Sequence, residues 1–213
     1  MIRVLLVDDH KLIRVGLRNI LEAEADVEIA GEADDGETAV KQARELKPDV
    51  VVLDINMPGT NGIEATRKLA RLEPAPRVLI VSVHSQEPVP ARLLEAGAHG
   101  YVTKESAADE IVAAVRQVHA GRRYLSADIA REMALGQLGG ASPLASLSDR
   151  EMEVLLLVAE GISLQEIADR LHVSPKTIAT YRYRLFDKLN VTNDVELARF
   201  ALRHGLVEDV PGE

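Results

Sequence analysis

Three carboxylates follow directly on short apolar runs: Asp8 and Asp9 after Val4–Val7, and Asp54 after Val50–Leu53. Ser82 closes a further run, Val78–Val81, and Lys104 lies just past another, Gly100–Val102. If these runs are parallel strands, their carboxyl ends converge on one edge, where such sheets bind ligands. Close carboxylates repel one another, and a hard divalent cation bound through oxygen relieves them, Mg2+ being the usual occupant. The chemistry open to this set is phosphoryl transfer onto a carboxylate. Asp54 would be the nucleophile, Mg2+ and Lys104 would neutralise the phosphoryl oxygens, and Ser82 would donate a hydrogen bond to the product. Each residue alone has an ordinary explanation: Asp8 could solvate a loop or cap the helix that starts near His10, and Lys104 could be a surface lysine. Convergence at four strand ends carries the reading.

A second set could bind a polyanion. Ser163-Leu164-Gln165-Glu166 has the form of a capping box opening a helix over about 164–171. After the turn His172-Val173-Ser174, Ser174 caps a second helix over 175–189 with Pro175 at its first position. Two capped helices joined by a tight turn are a helix-turn-helix. Ile178, Tyr181, Leu185 and Leu189 form the apolar stripe of the second helix. Lys176, Ala179, Thr180, Tyr183 and Asp187 then lie opposite, with Arg182, Arg184 and Lys188 along the edges. Thr180 and Tyr183, with Thr177 beside them, are placed to read base edges, and the four cations to meet phosphates. Residues 170–190 carry a net charge of +4, whereas 136–213 as a whole carries −4. The positive charge is gathered on one helix, as a duplex-binding footprint requires. A solvated surface face would explain the charges but not the capped turn.

The elements that must position these residues follow one rhythm over the first 105 positions: a short apolar run, a turn, then a stretch of helical period. The runs are Val4–Val7, Val27–Ala30, Val50–Leu53, Val78–Val81 and Gly100–Val102. Amphipathic stretches near 11–24, 36–46, 61–72, 88–96 and 106–120 lie between and after them. Runs such as Val50-Val51-Val52-Leu53 are those of strands buried on both faces. The pattern predicts a doubly wound (βα)5 α/β domain with a parallel five-stranded sheet over 1–121. A short helix near 128–135 and a Gly- and Ser-Pro-containing linker at about 136–146 follow, so that 122–146 joins the domains. From 147 to 213 only helical periodicity remains, and a small all-α helix-turn-helix domain is expected.

Composition narrows the function classes. Of 213 residues, 25 are Lys or Arg and 34 Asp or Glu, a net charge of −9, so no chain-wide field attracts nucleic acid or anionic membrane. The chain has no cysteine, which excludes thiol catalysis, disulfides and thiolate metal sites and suits a reducing compartment. The N-terminal apolar run is too short for a signal peptide, and no apolar stretch reaches membrane-spanning length. A cytoplasmic protein without membrane attachment is expected.

Residues 1–121 resemble a response-regulator receiver domain through Val7-Asp8-Asp9-His10, Leu53-Asp54-Ile55-Asn56-Met57-Pro58-Gly59 with Gly62, Ser82, Gly97-Ala98 and Gly100-Tyr101-Val102-Thr103-Lys104. The resemblance implies that Asp54 is the phosphoacceptor and Asp8 and Asp9 the acidic pair, with the Asn56 carbonyl joining Asp9 and Asp54 on Mg2+. It makes Ser82 and Tyr101 the switch pair and Lys104 the phosphate-binding cation. Ser82 would move toward the phosphoryl group and Tyr101 would turn inward. Glu105 stands where receivers commonly have proline. His84 and Asn56 flank the expected path of attacking water, although ordinary exposed loop positions explain them equally.

Residues 147–206 resemble the LuxR-type four-helix DNA-binding domain through Leu147-Ser148-Asp149-Arg150-Glu151, Gly161, Glu166-Ile167-Ala168 and Val173-Ser174-Pro175-Lys176-Thr177-Ile178. Together the halves are similar to the NarL/FixJ class, most like its GacA/UvrY/SirA branch, with Ala179 replacing the asparagine expected there. The resemblance implies a sensor histidine kinase that phosphorylates Asp54, double-stranded DNA as target, transcriptional control as output, and no enzymatic turnover of an outside substrate. It also implies a homodimer through the last helix, about 194–204, with Val195, Ala198, Ala201 and Leu202 on one side. A Mg2+-dependent aspartyl-phosphate phosphatase would need a second acid two residues after its nucleophile, where this chain has Asn56. A phosphorylation-independent interaction module would have no need of all five residues Asp8, Asp9, Asp54, Ser82 and Lys104.

Overall fold

The computed structural model describes residues 1–55, 57, 62–84, 88–138, 143–204 and 206–207. The chain divides into two compact units, Met1–Val83 with Pro90–Arg131, and His84–Val89 with Glu132–Glu213.

The first unit alternates strand and helix. The elements are β1 (Ile2–Val7), α1 (Lys11–Glu22), β2 (Val27–Ala33), α2 (Gly36–Leu46), β3 (Val50–Leu53), α3 (Gly62–Leu69), β4 (Arg77–Ser82), α4 (Val89–Ala96), β5 (Gly100–Thr103) and α5 (Ala108–His119). All strand pairs are parallel, in the order β2-β1-β3-β4-β5 with a further strand beyond β5. The sixth strand, β6 (Tyr124–Leu125), was not expected. Its two residues are too few to show a period, and they pair with Gly100 and Tyr101 at the edge.

The strand runs are apolar because both faces are covered. All four residues of β3 are at most 1% exposed. Alternate side chains Val4, Leu6, Val50, Val52, Leu79, Val81 and Val102 pack with Leu17 and Leu21 of α1 and with Ile111, Val112 and Val115 of α5. α2 packs against β1 and β2 with α3 beside it. Asp35 caps α2 by accepting from Glu37 N and Thr38 N. At Gly97, between α4 and β5, φ is +115°, a conformation that side chains other than glycine rarely adopt.

The chain leaves β1 toward β2 on one side and continues from β3 toward β4 on the other, so a crevice opens beyond the carboxyl ends of β1 and β3. Val7 pairs with Leu53, which sets Asp8 and Asp54 at the same level.

After α6 (Ala127–Leu138), a 3-10 turn at Pro143–Ser146 in the second unit leads to α7 (Asp149–Ala159), α8 (Leu164–Arg170), α9 (Pro175–Leu189) and α10 (Asp194–Arg203). Linker positions 139–142 lie outside the described residues. Serine caps start α7, α8 and α9, and Asn193 caps α10. The capping box is reciprocal at Ser148 and Glu151. At Ser163 the cap bond to Glu166 N is present, but the Glu166 carboxylate accepts from Arg170 at 2.8 Å because that cation is one turn away. His172, at φ +50°, makes the turn between α8 and α9. Ile167, Ile178, Leu185, Leu197 and Phe200 are buried in this unit. Among the described residues no helix is long and apolar enough to cross a membrane.

Candidate functional site

The Asp54 amide donates to the Val7 carbonyl at 2.8 Å, continuing the ladder one residue past β3. The Asp54 side chain is thereby held beside Asp8, and the two residues are 2% and 1% exposed. Asp54 Oδ1 accepts from Ile55 N at 2.7 Å, and Asp8 Oδ1 from His10 N at 2.8 Å. Asp8 is therefore not the cap of α1: His10 holds that place, with no side-chain cap bond.

Lys104 comes from the far side of the sheet. Its amide donates to the Ser82 carbonyl at 3.0 Å, and its Nζ donates to Asp54 Oδ2 at 2.7 Å and lies 2.8 Å from Asp8 Oδ2. Burial alone would lower the Lys104 pKa, but the Asp54 charge and the bonds to Asp54 and Asp8 outweigh it and hold it above its ordinary value. The ammonium stays charged at neutral pH. Ser82 and Tyr101 are fully buried. His84 is 4% exposed and is not the ordinary exposed loop residue that was one reading of its position. Asn56 lies outside the described residues.

The acidic cluster suits a hard divalent cation. Ligand atoms of Asp8, Asp9, His10 and Asp54 lie within 4.8 Å of one another. Asp8 Oδ2 faces Lys104 Nζ and Asp9 Oδ1 faces His10 Nδ1, each at 2.8 Å. Clustered carboxylate oxygens are what Mg2+ takes.

Two contributors were not read from sequence. His10 joins the cluster, with Nδ1 2.8 Å from Asp9 Oδ1. Arg14 of α1 donates to the Asp8 carbonyl and pairs with Glu32 of β2, which also binds Arg18. Burial would raise the Glu32 pKa, but bonds from Arg18 and Arg14 hold it below the ordinary range. This brace fixes the turn after β1. Its sequence signal is helical spacing: position 14 is one turn past His10, and position 18 one turn further.

On α9 the exposed side is redrawn by two ion pairs. Lys188 Nζ donates to Glu151 Oε2 at 2.7 Å and to the Ser146 carbonyl at 3.0 Å, so its ammonium serves the start of α7. Arg182 Nε lies 3.0 Å from Asp194 Oδ1 at the start of α10. Lys188 and Arg182, expected to face phosphates, thus also make contacts within the domain. Tyr181, expected on the core stripe, is half-buried, and Phe186 fills the core instead. Ser174, Lys176, Thr177, Thr180, Tyr181 and Arg184 line a shallow concave surface, with Tyr183 63% exposed on the same helix. The Arg184 guanidinium sits 5.9 Å from the Tyr181 ring centre. Three cations were expected along the edges of this helix, and Arg184 is the one left available beside Lys176.

Comparison with known proteins agrees with both halves. The family described as "Response regulator receiver domain" matches residues 4–116, and "Bacterial regulatory proteins, luxR family" matches residues 145–201. The chain is 48% identical over 209 residues to response regulator UvrY of Escherichia coli, covering 97% of this chain and 96% of UvrY. It is 50% identical over 211 residues to response regulator GacA of Pseudomonas aeruginosa, covering 98% and 99%. Among solved structures it is similar to RcsB of Salmonella enterica serovar Typhimurium bound to promoter P1flhDC with the phosphomimetic BeF3−. The TM-score there is 0.73 at 28% identity, over 93% of this chain and 97% of that one. With a receiver domain ahead of a LuxR-type helix-turn-helix, and relatives matched over nearly the whole length, this chain belongs to the two-component response regulators that carry a LuxR-family DNA-binding domain.

Proposed function

We propose that a sensor histidine kinase phosphorylates this protein on Asp54 and that the phosphorylated form, as a homodimer, binds double-stranded DNA and controls transcription in the cytoplasm. In this reading 1–121 is the phosphoacceptor domain, 122–146 the connecting helix and linker, and 147–213 the DNA-binding domain. The observation that carries it is the Asp54 carboxylate, buried at the carboxyl edge of the sheet with Lys104 Nζ at 2.7 Å and the carboxylates of Asp8 and Asp9 beside it. A bound Mg2+ would supply charge neutralisation to the incoming phosphoryl group, held by Asp8, Asp9, Asp54 and the Asn56 carbonyl.

An Asp54 carboxylate oxygen attacks the phosphorus of a phosphohistidine. The P–N bond breaks, an acyl-phosphate P–O bond forms, and the imidazole leaves with the electron pair. Lys104 holds the attacking oxygen in place before transfer and faces the added charge after it. Its main chain hangs on the Ser82 carbonyl, so a change at the phosphoryl group reaches the end of β4 by a direct route. Ser82 and Tyr101 pass the change on by repacking. The chain acts as signal carrier and not as an enzyme on an outside substrate. The RcsB complex, holding promoter DNA with a phosphomimetic, supports the same order of events.

Incubation with acetyl phosphate and Mg2+ followed by intact mass tests the proposal. One stably added phosphoryl group supports it, whereas continuous turnover would mark a phosphatase and no addition a phosphorylation-independent module.

A further inference from the structure

We propose that the Ser126 hydroxyl is a relay between Tyr101 and α6, unpaired in the present arrangement and paired once Asp54 is phosphorylated, and that it sets how strongly phosphorylation changes DNA affinity. This rests on the reading that Asp54 is the phosphoacceptor and that Ser82 and Tyr101 repack in response. Ser126 joins the sheet edge to the helix. Its amide donates to the Tyr101 carbonyl at 3.0 Å, and its own carbonyl accepts the first bond of α6, from Ala130 N at 2.9 Å. Ile129 is fully buried, and α6 up to Arg131 belongs to the first unit. The other end of β6 is pinned: Tyr124 donates from its amide to the His99 carbonyl at 3.1 Å and from its hydroxyl to Glu110 at 3.2 Å. Movement at Tyr101 therefore reaches α6 through Ser126.

The hydroxyl is the part with two states. Ser126 is 4% exposed, and among the described residues its Oγ has no hydrogen-bond partner. Buried polar groups are nearly always bonded, and one left unpaired raises the energy of the arrangement that contains it. Ser148, Ser163 and Ser174 hold the same place before α7, α8 and α9, and each accepts from the amide three residues on, at 3.3, 3.2 and 3.1 Å. Ser126 alone of the four leaves that bond unmade. A turn about its Cα–Cβ bond, accompanying a shift of the Tyr101 main chain, would bring Oγ to the Ile129 amide and cap α6. An arrangement with the bond and one without it form the two-state element that coupling between distant sites needs. From Glu132 on, α6 belongs to the second unit, so capping its start firms the segment that leads to the DNA-binding domain.

The test uses the full-length protein with Ser126→Ala and Ser126→Cys, which bracket the size of serine and lack a strong donor. Intact mass after acetyl phosphate is expected to show wild-type labelling in both. Without acetyl phosphate, hydrogen exchange over the first turn of α6 is expected to be no faster than in wild type, since there is no cap bond to lose. DNA affinity is read on a duplex selected from a random pool by the phosphorylated wild type. The ratio of affinities with and without acetyl phosphate should fall about fivefold in both variants, the low end of what an unpaired buried hydroxyl costs. Faster exchange in the unphosphorylated variants would make Ser126 an ordinary cap, and a wild-type affinity ratio in both would remove its part in the coupling; either result overturns the proposal. A wild type that takes up no phosphoryl group, or whose DNA affinity does not respond to one, instead removes the phosphorylation reading beneath it, and this inference with it.

Discussion

Lys104 Nζ stands 2.7 Å from Asp54 Oδ2 while the amide of the same lysine hangs on the Ser82 carbonyl at 3.0 Å. One residue therefore ties Asp54, just past β3, to the end of β4. The two strands bring Asp54 and Ser82 to the same edge, and the lysine after β5 reaches across both. On the proposed phosphorylation, charge added at Asp54 would change what the ammonium faces, and its main chain would carry that change into the sheet.

Asp54→Asn is expected to abolish labelling by acetyl phosphate and leave a folded protein. The amide keeps the shape but lacks an anionic oxygen nucleophile. Circular dichroism establishes the fold and intact mass the labelling. Undiminished labelling of the folded variant would show that another residue accepts the phosphoryl group.

Lys104→Ala is expected to retain partial phosphorylation and lose much of the coupling between phosphorylation and DNA affinity. Couplings of this kind amount to about 1–3 kcal/mol, roughly 5–150-fold in affinity. Binding isotherms with and without acetyl phosphate measure the ratio directly, and a wild-type ratio would make Lys104 a bystander.

Glu151 and Lys188 predict an acid limb of stability in the DNA-binding domain. Burial would raise the Glu151 pKa, but the Lys188 bond and the Ser148 bonds hold it below its ordinary value. A carboxyl whose pKa is depressed on folding contributes stability above its unfolded pKa and loses it as pH falls through the folded value. Stability is therefore expected to drop below the ordinary carboxylate range, and Lys188→Met should flatten that limb. The substitution should cost about 1–2 kcal/mol, since Lys188 is 37% exposed and screening trims a charged hydrogen bond. Thermal melts from pH 3 to pH 7 decide it: equal melting curves for both proteins would sever the link.

The strand ends were legible because continuous β-branched runs say where a doubly buried strand stops, and Asp8, Asp54 and Ser82 sit at those stops. The helix-turn-helix was legible from its serine caps and Pro175. What stayed hidden depends on which partner a side chain finds across space. Lys188 and Arg182 look like phosphate ligands on a helical projection, yet Glu151 and Asp194 from other helices claim them. His10 looks like a helix-start residue until β1 brings Asp9 under its ring. The strand Tyr124–Leu125 is held by edge pairing, by packing of Tyr124 against the core and by its hydroxyl on Glu110, and its two residues carry no period to read.

The exposed side of α9 separates reading from holding. Thr180 and Tyr183 are exposed opposite the Ile178, Leu185 and Leu189 stripe, and substituting either is expected to change sequence preference, at a cost of roughly 1–3 kcal/mol on the preferred site for each base edge no longer read. Arg184, exposed and stacked over Tyr181, is expected to meet phosphate. Its removal should weaken all sequences alike and lower the log–log salt slope by about 0.9, the share of one neutralised phosphate. Lys188→Met serves as contrast: its ammonium is engaged with Glu151, so it should lower stability and leave the salt slope alone. Binding of the full chain, phosphorylated with acetyl phosphate, to preferred and scrambled duplexes at several salt concentrations distinguishes the three behaviours. If Tyr183→Ala loses preferred and scrambled binding in parallel, Tyr183 holds the backbone instead, and the reading face must turn toward Thr177 and Tyr181.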